Sequence, residues 1–354
     1  MTAGPLFPSS VVGSMPRSDF VKELIADETI APDDYARAMD AAVRYIVALQ
    51  ERAGLDVVTD GEWPRKSYIG VISDLAHGFE LSTNPADGRP WTVVVERLSP
   101  KDPGFVAREI TALKRLTSRR VKATLPSPAL LGERLWHPDK SASAYPTREA
   151  FVEACIPILH REVELLAEAR ADIVQIDDPH LCLFVDPDVR ARYDDPERAA
   201  DFAVDVVNQV LDGVKGPQLA VHLCRRTGAR ARGEQEHQGG FGPIVKYINK
   251  LRVHALAMEF ADASAGDMEV LAKLRDDFEI GFGCVSVTPG QIDSPETVTE
   301  RVTQALAFVS PERITLNPDC GFAPGSGAAV SIDEAYVKLK NQTAAAEMLR
   351  DRYG

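Results

Sequence analysis

Cysteine, aromatic residues and positive charge are all in short supply in this chain. Its 354 residues include only five cysteines and 7% aromatics. An odd, sparsely spaced set of cysteines is not a disulfide framework, and in a cytosolic chain such thiols are either buried or serve chemistry. No apolar run is long enough to span a bilayer. The opening MTAGPLFPSS has no basic stretch followed by an apolar one, so it does not read as a secretory signal, and a cytoplasmic location is expected. Lys and Arg number 40 against 53 Asp and Glu, a formal net charge of -13. That balance argues against surfaces that neutralise phosphate backbones or anionic lipid, so neither nucleic acid nor membrane is an expected partner. Basic residues cluster only locally. Lys114, Arg115, Arg119, Arg120 and Lys122 read as a solvated helix face before a strand, while Arg225, Arg226, Arg230 and Arg232 keep an anionic small molecule in view.

Hydrophobic residues make up 45% of the chain and charged ones 26%, an ordinary globular composition with material for a large core. Short runs rich in Val, Ile, Leu and Ala, separated by helical stretches, are the sequence form of strands buried on both faces of a parallel sheet. Eight are read: 9–14 (SSVVGS), 56–61 (DVVTDG), 121–126 (VKATLP), 172–177 (DIVQID), 218–224 (QLAVHLC), 255–260 (ALAMEF), 279–285 (EIGFGCV) and 313–318 (RITLNP). Amphipathic stretches at 32–53, 148–171, 199–214, 267–276 and 294–309 lie between them. A doubly wound open sheet would look similar locally, but the count favours a (β/α)8 TIM barrel occupying 1–354 as a single domain. Insertions are expected after the second and fifth strands. The first, 63–120, contains polar, Gly- and Pro-bearing loops and a hairpin around WTVVVERL. The second, 228–242 (GARARGEQEHQGGFG), reads equally as a mobile lid or as an insertion without a role.

Barrel active sites are assembled at the C-terminal ends of the strands. Here those ends carry Ser14, Asp60 and Glu62, Asp177 and Asp178, His222 and Cys224, Glu259 and Asp262, and Asp319 and Cys320. A single rim carboxylate is ordinarily solvated or caps the next helix, but its recurrence on most strands is harder to explain that way. His222 and Cys224 stand two residues apart on an extended strand, so both side chains face the same way. Glu259 from the neighbouring strand and Cys320 from the last one complete a nitrogen, two sulfurs and an oxygen. This set suits a tetrahedral Zn²⁺ with one exchangeable position. Structural zinc would use closely spaced pairs in a small loop, whereas ligands scattered over several strands suit catalysis. A thiol that joins such an ion loses its proton, and Glu259, the poorest match to zinc, is the ligand expected to leave. Cys155 and Cys284 read as core, and Cys182 is left open.

The segments VVGSMPR, GLDVVTDGEWPR, VQIDDP, VHLCR, AMEF and LNPDCGF, in this order, resemble the cobalamin-independent methionine synthase superfamily, above all its C-terminal catalytic barrel. The resemblance runs over nearly the whole chain and implies a core version that manages the donor alone. It implies a zinc-activated thiol that accepts an alkyl group, with His222, Cys224, Glu259 and Cys320 as the ligands. It further implies that Ser14, Glu62 and Asp177 hold the amino acid part of homocysteine. Two carboxylates beside a substrate ammonium make physical sense, because a cation removed from water needs opposite charge and hydrogen bonds.

The resemblance weakens at the donor side. The position of the family's catalytic His is Thr288 here, within GCVSVTPGQIDSP, and threonine cannot replace imidazole as a general acid. Asp293 or a residue of the His237 loop is the compensating candidate. The folate-stacking Trp is not recovered after LPSP, where Ala129, Leu130 and Arg134 follow and Trp136 is only nearby. The donor therefore stays open between a methylfolate and a methylcorrinoid, the latter carried by a corrinoid protein and needing no proton on its leaving group. The alternative reading resembles coenzyme M epoxide transferases, in which Arg17, Arg65, Arg225 and Arg226 would be sulfonate-binding candidates. For Arg225 a salt bridge to Asp262 or Asp178 is an equal reading. Ser14, Glu62 and Asp177 favour homocysteine as the small-molecule thiol. A non-catalytic barrel that binds a thiol or stores metal is a third reading. A homo-oligomer is neither required nor excluded.

Overall fold

The computed structural model describes residues 5–67, 69–83, 90–225, 239–262, 267–323 and 330–354. Its strands are β1 (Val57–Val58), β2 (Ala76–Thr83), β3 (Pro90–Pro100), β4 (Arg120–Pro126), β5 (Ile173–Asp177), β6 (Gln218–Leu223), β7 (Ala255–Glu259), β8 (Glu279–Val285) and β9 (Ile314–Pro318). Seven of them form a curled parallel sheet in the order β1-β4-β5-β6-β7-β8-β9. The segment around Ser9 closes the ring. It bridges Leu316 in parallel, with Ser10 N donating to Leu316 O at 2.9 Å and Leu316 N to Pro8 O at 2.8 Å. On its other side, Asp56 N and Val57 N donate to Ser9 O at 2.9 and 3.1 Å. The expected barrel is therefore present.

The first two expected strands are much shorter than their apolar patterns suggest. Residues 9–14 reduce to a single bridge, and 56–61 reduce to Val57–Val58. Beyond Val58 the backbone finds a side chain instead of a neighbouring strand. Gln50 Oε1 accepts from Thr59 N at 3.0 Å, and Gln50 Nε2 donates to Thr59 O at 2.8 Å. A primary amide can imitate a strand edge in this way and end the ladder. The helices follow their caps. Ser127, Thr147, Asp195 and Ser294 each accept a backbone N–H of the first turn that would otherwise lack a partner. The stretch expected at 267–276 is a 3-10 helix, Met268–Lys273.

Between β1 and β4 the chain forms an antiparallel hairpin of β2 and β3, and WTVVVERL lies in β3. Of the 228–242 stretch, residues 228–238 lie outside the described residues, and His237 is among them. No helix among the described residues is long and apolar enough to cross a membrane.

All five cysteines are free and buried, Cys182 included. Another buried polar residue anchors the loop after β8. Lys338, on the long helix Ile332–Tyr353, is 1% exposed. Its Nζ donates to Ser286 O at 2.9 Å, Thr288 O at 2.7 Å and Gln291 O at 2.9 Å, and faces Glu334 at 3.1 Å. Lys338→Met would take a donor from three carbonyls and the cation from Glu334, with Thr288 O keeping only Gln291 N and Glu334 only Gly290 N. It is expected to destabilise the fold by about 2–4 kcal/mol, read as a lower urea midpoint.

Candidate functional site

His222 is the fifth residue of β6, in register with Asp177 at the end of β5. Cys224 follows one residue past the strand, and Cys320 lies two residues past β9. The metal-ligating atoms of His222, Cys224 and Cys320 lie within 4.8 Å of one another, and all three residues are buried. The two sulfurs are 3.5 Å apart. His222 Nδ1 faces Asp177 Oδ1 at 3.2 Å, while its Nε2 is buried without a hydrogen-bond partner among the described residues. A buried ring nitrogen with no partner is costly. One nitrogen and two sulfurs at this spacing, with a carboxylate behind the imidazole, fit a Zn²⁺ ion.

Glu259, expected as a fourth donor, is not one of these three. Its Oε1 accepts from Cys224 Sγ at 3.2 Å and from Arg225 N at 3.1 Å, and its Oε2 lies 3.5 Å from Arg225 Nε. Glu259 thus touches the cluster while sharing its charge with Arg225. Arg225 also donates to Gly239 O at 2.7 Å and stands over the Phe241 ring. Burial alone would lower the His222 pKa, but the Asp177 carboxylate on Nδ1 and the neighbouring Cys224 sulfur outweigh it and hold the imidazole up at about 10. The hydrogen bond with Cys320, followed by burial, pushes the Cys224 thiol well up. Both shifts favour the protonated forms of His222 and Cys224, and a cation bound there would displace those protons.

The turn carrying Cys320 is pinned from both sides. Asp319 Oδ1 accepts from Phe260 N at 3.0 Å and Ala261 N at 2.9 Å, and burial next to Glu259 raises its pKa to about 8. Across the turn, Phe322 N donates to Ser14 O at 3.0 Å and Ala323 N to Ser14 Oγ at 3.2 Å. A Cβ on Gly321 would stand 2.3 Å from Ser14 Oγ, so any larger residue there must push the Ser14 hydroxyl off Ala323 N. Gly321→Ala is therefore expected to cost about 1–3 kcal/mol by overpacking and to displace Cys320. Urea unfolding and metal content, measured on the same preparation, would report both effects.

Glu62 is buried at the same rim and adopts a left-handed backbone, φ 58°, which a non-glycine residue holds only when its surroundings enforce it. Its N donates to Asp60 Oδ1 at 2.8 Å, and its Oε1 accepts from Thr124 Oγ1 at 2.8 Å. Burial raises its pKa to about 6 against the pull of Arg65, and the charge on Asp177 adds to the rise. Of the three residues expected to hold the acceptor, Asp177 touches His222, Ser14 touches the turn just after Cys320, and Glu62 lies within electrostatic range of Asp177. Thr288 and Asp293 belong to the loop after β8. Asp293 Oδ2 is paired with Arg301 Nη1 at 3.2 Å, and no hydrogen bond among the described residues links either residue to the cluster.

Two buried cations at the barrel interior depart from the sequence expectation: Lys122, expected on a solvated helix face, is 5% exposed within β4, and Arg65 is 2% exposed. Lys122 donates to Val11 O, and burial lowers its pKa to about 7, with Asp177 pulling the other way. Arg65, counted only as a sulfonate candidate, instead forms a buried ion pair with Glu109 at 2.9 Å. The available signal was the alternation of Lys122 and Thr124 within VKATLP, which puts two polar side chains on one strand face.

The chain matches the family described as "Cobalamin-independent synthase, Catalytic domain" over residues 7–348. It is 27% identical over 357 residues to a protein named methionine synthase from Pyrococcus horikoshii, covering 98% of this chain and 94% of that one. A methionine synthase of Saccharolobus islandicus is 26% identical over 365 residues, covering 99% and 97%. Among solved structures, a B12-independent methionine synthase from Shewanella sp. W3-18-1, in complex with selenomethionine, superposes with a TM-score of 0.79 at 21% identity, with 98% of each chain covered. A putative vitamin-B12 independent methionine synthase from Listeria monocytogenes gives 0.74 at 20% identity, with 100% of each covered.

Proposed function

Since the chain belongs to the family of cobalamin-independent synthase catalytic domains, we propose that it is a zinc-dependent S-methyltransferase whose acceptor is homocysteine and whose product is methionine. In this reading 1–354 form one catalytic barrel, and a methylfolate or a methylcorrinoid is the donor. The observation that carries it is the buried cluster of His222, Cys224 and Cys320 within 4.8 Å, with a ring nitrogen awaiting a partner. When bound, Zn²⁺ supplies the acidity that makes a coordinated thiol a nucleophile at neutral pH.

The protein's own residues do the rest. Asp177 orients the imidazole, Arg225 and Cys224 share Glu259, and Glu62 and Asp177 offer negative charge to an amino group. Ser14 ties the Cys320 turn to the first segment, which leaves its hydroxyl at the rim for the amino acid part of the acceptor. Binding energy at that polar end would align the sulfur for in-line attack on the methyl carbon. The relatives named methionine synthase support methyl transfer over the opening of an epoxide.

The test combines metal analysis with zinc-edge X-ray absorption before and after addition of homocysteine or coenzyme M, and methionine formation from each donor. One zinc per chain and a sulfur gained with homocysteine is the expected result. A sulfur gained only with coenzyme M would replace the acceptor, and carefully prepared protein without zinc would remove the reading.

A further inference from the structure

Arg65 and Glu109 are both buried, their side chains 2% and 7% exposed, and they meet as a fork on a carboxylate. Arg65 Nε lies 3.3 and 3.0 Å from the two Glu109 oxygens, and Nη2 lies 2.9 Å from Oε2. Burial works against the charge on Arg65, yet Glu109 and Glu62 more than compensate and hold its pKa above the ordinary value. A buried ion pair is seldom better for stability than a well-packed apolar pair, so what it does for its neighbours becomes the relevant question.

The remaining guanidinium nitrogen points the way. Arg65 Nη1 donates to Thr124 O at 2.9 Å and to Thr124 Oγ1 at 3.1 Å. Guanidinium has no acceptor, so the Thr124 hydroxyl accepts from Arg65, and its single proton can go only elsewhere. That proton meets Glu62 Oε1 at 2.8 Å. The direction of the whole chain, from Arg65 through Thr124 to Glu62, is thereby set by chemistry. The Thr124 hydroxyl engages Glu62 Oε1 and leaves Oε2 out of this chain of contacts. The backbone is held as well: Arg17 Nη2 donates to Glu62 O at 2.8 Å and to Arg65 O. Gly13 makes room, since a Cβ there would stand 2.6 Å from Glu62 Oε1 and 2.9 Å from Thr124 Cγ2.

We propose that Arg65, Glu109 and Thr124 are positioning residues that fix one oxygen of Glu62 and present the other to the ammonium group of an amino thiol. This rests on the reading of Glu62 as a substrate contact given above. Selectivity for an amino thiol over the same thiol without its amine would then depend on a hydroxyl that touches neither.

The experiment measures, by calorimetry on zinc-loaded protein, the binding of homocysteine and of 4-mercaptobutyrate, which lacks only the amine. Thr124→Val keeps the shape and removes the hydroxyl, Thr124→Ser restores it, and Glu62→Gln probes the contact itself. Thr124→Val and Glu62→Gln are each expected to weaken homocysteine about tenfold or more, leaving 4-mercaptobutyrate and zinc content unchanged. Thr124→Ser is expected to recover the homocysteine affinity. If Glu62→Gln weakens homocysteine but Thr124→Val does not, the positioning role is wrong and the contact stands. Unchanged homocysteine binding in Glu62→Gln would remove the contact and the inference with it. Equal weakening of both thiols, or failure of Thr124→Ser to recover, would reduce Thr124 to packing. Should Thr124→Val not fold, Glu109→Gln gives the same reading, because it loosens Arg65 two bonds upstream.

Discussion

On the proposed function, Cys320→Ser is expected to abolish nearly all zinc binding and with it methyl transfer. The exchange is close to isosteric, so the fold should survive, but a serine hydroxyl does not ionise at neutral pH and is a poor partner for zinc. Only His222 and Cys224 of the three clustered donors would remain. Loss of a partner one bond removed from a metal already costs roughly 10–100-fold in affinity, so loss of a ligand should exceed about a hundredfold. Metal analysis after dialysis against a competing chelator measures the effect, with circular dichroism to verify the fold. A variant that keeps a full equivalent of zinc and turns over normally would mean that the cluster is a buried polar core without a metal.

Asp177→Asn should produce the second largest loss, and on two counts at once. The sequence reading gave Asp177 a single task, contact with the substrate amine. In the structure its Oδ1 also faces His222 Nδ1 at 3.2 Å and accepts from Gln175 Nε2 at 2.8 Å. Asparagine keeps the shape and an acceptor oxygen but loses the charge that steadies the imidazole and attracts an ammonium. Zinc affinity should fall about tenfold, near the low end for such a partner. Homocysteine affinity should fall by a similar factor, from the loss of a charge-assisted contact. Together these predict a fall of about a hundredfold in kcat/KM at limiting zinc, and about tenfold when zinc is saturating. If zinc affinity stays unchanged and only the thiol is affected, the carboxylate serves the substrate alone.

The parts of the site that were legible share a short range. His222 and Cys224 are two apart on a strand, so local periodicity is enough to put both on one face. The convergence of Cys320 with them followed from counting strands into a ring, in which the last must return to the first, while their burial is seen only in the structure. Glu259 was harder. Its position on β7 was readable, but not the competition of Arg225 for its oxygens, because that pair forms through the turn geometry after β6. The shortened first strands went unread for a similar reason. A glutamine side chain nine residues before Thr59 in sequence supplies the hydrogen bonds that a neighbouring strand would have given.

By itself, then, the amino-acid order determined the barrel, the alternation that aims side chains into it, and the residue types able to hold a soft cation at its mouth. These depend on hydrophobic period and on the chemistry of each side chain, both of which act over a few residues. Only the tertiary structure decided which polar groups share protons and charge: Asp177 behind His222, Arg225 on Glu259, and Arg65 with Glu109 behind Thr124 and Glu62. Hydrogen bonds weaken steeply over a few tenths of an ångström and a few tens of degrees, and the buried charge pairs join residues far apart in sequence, so no pattern along the chain can assign them. They are fixed when the closed barrel excludes water and leaves each buried polar group to find its partner inside.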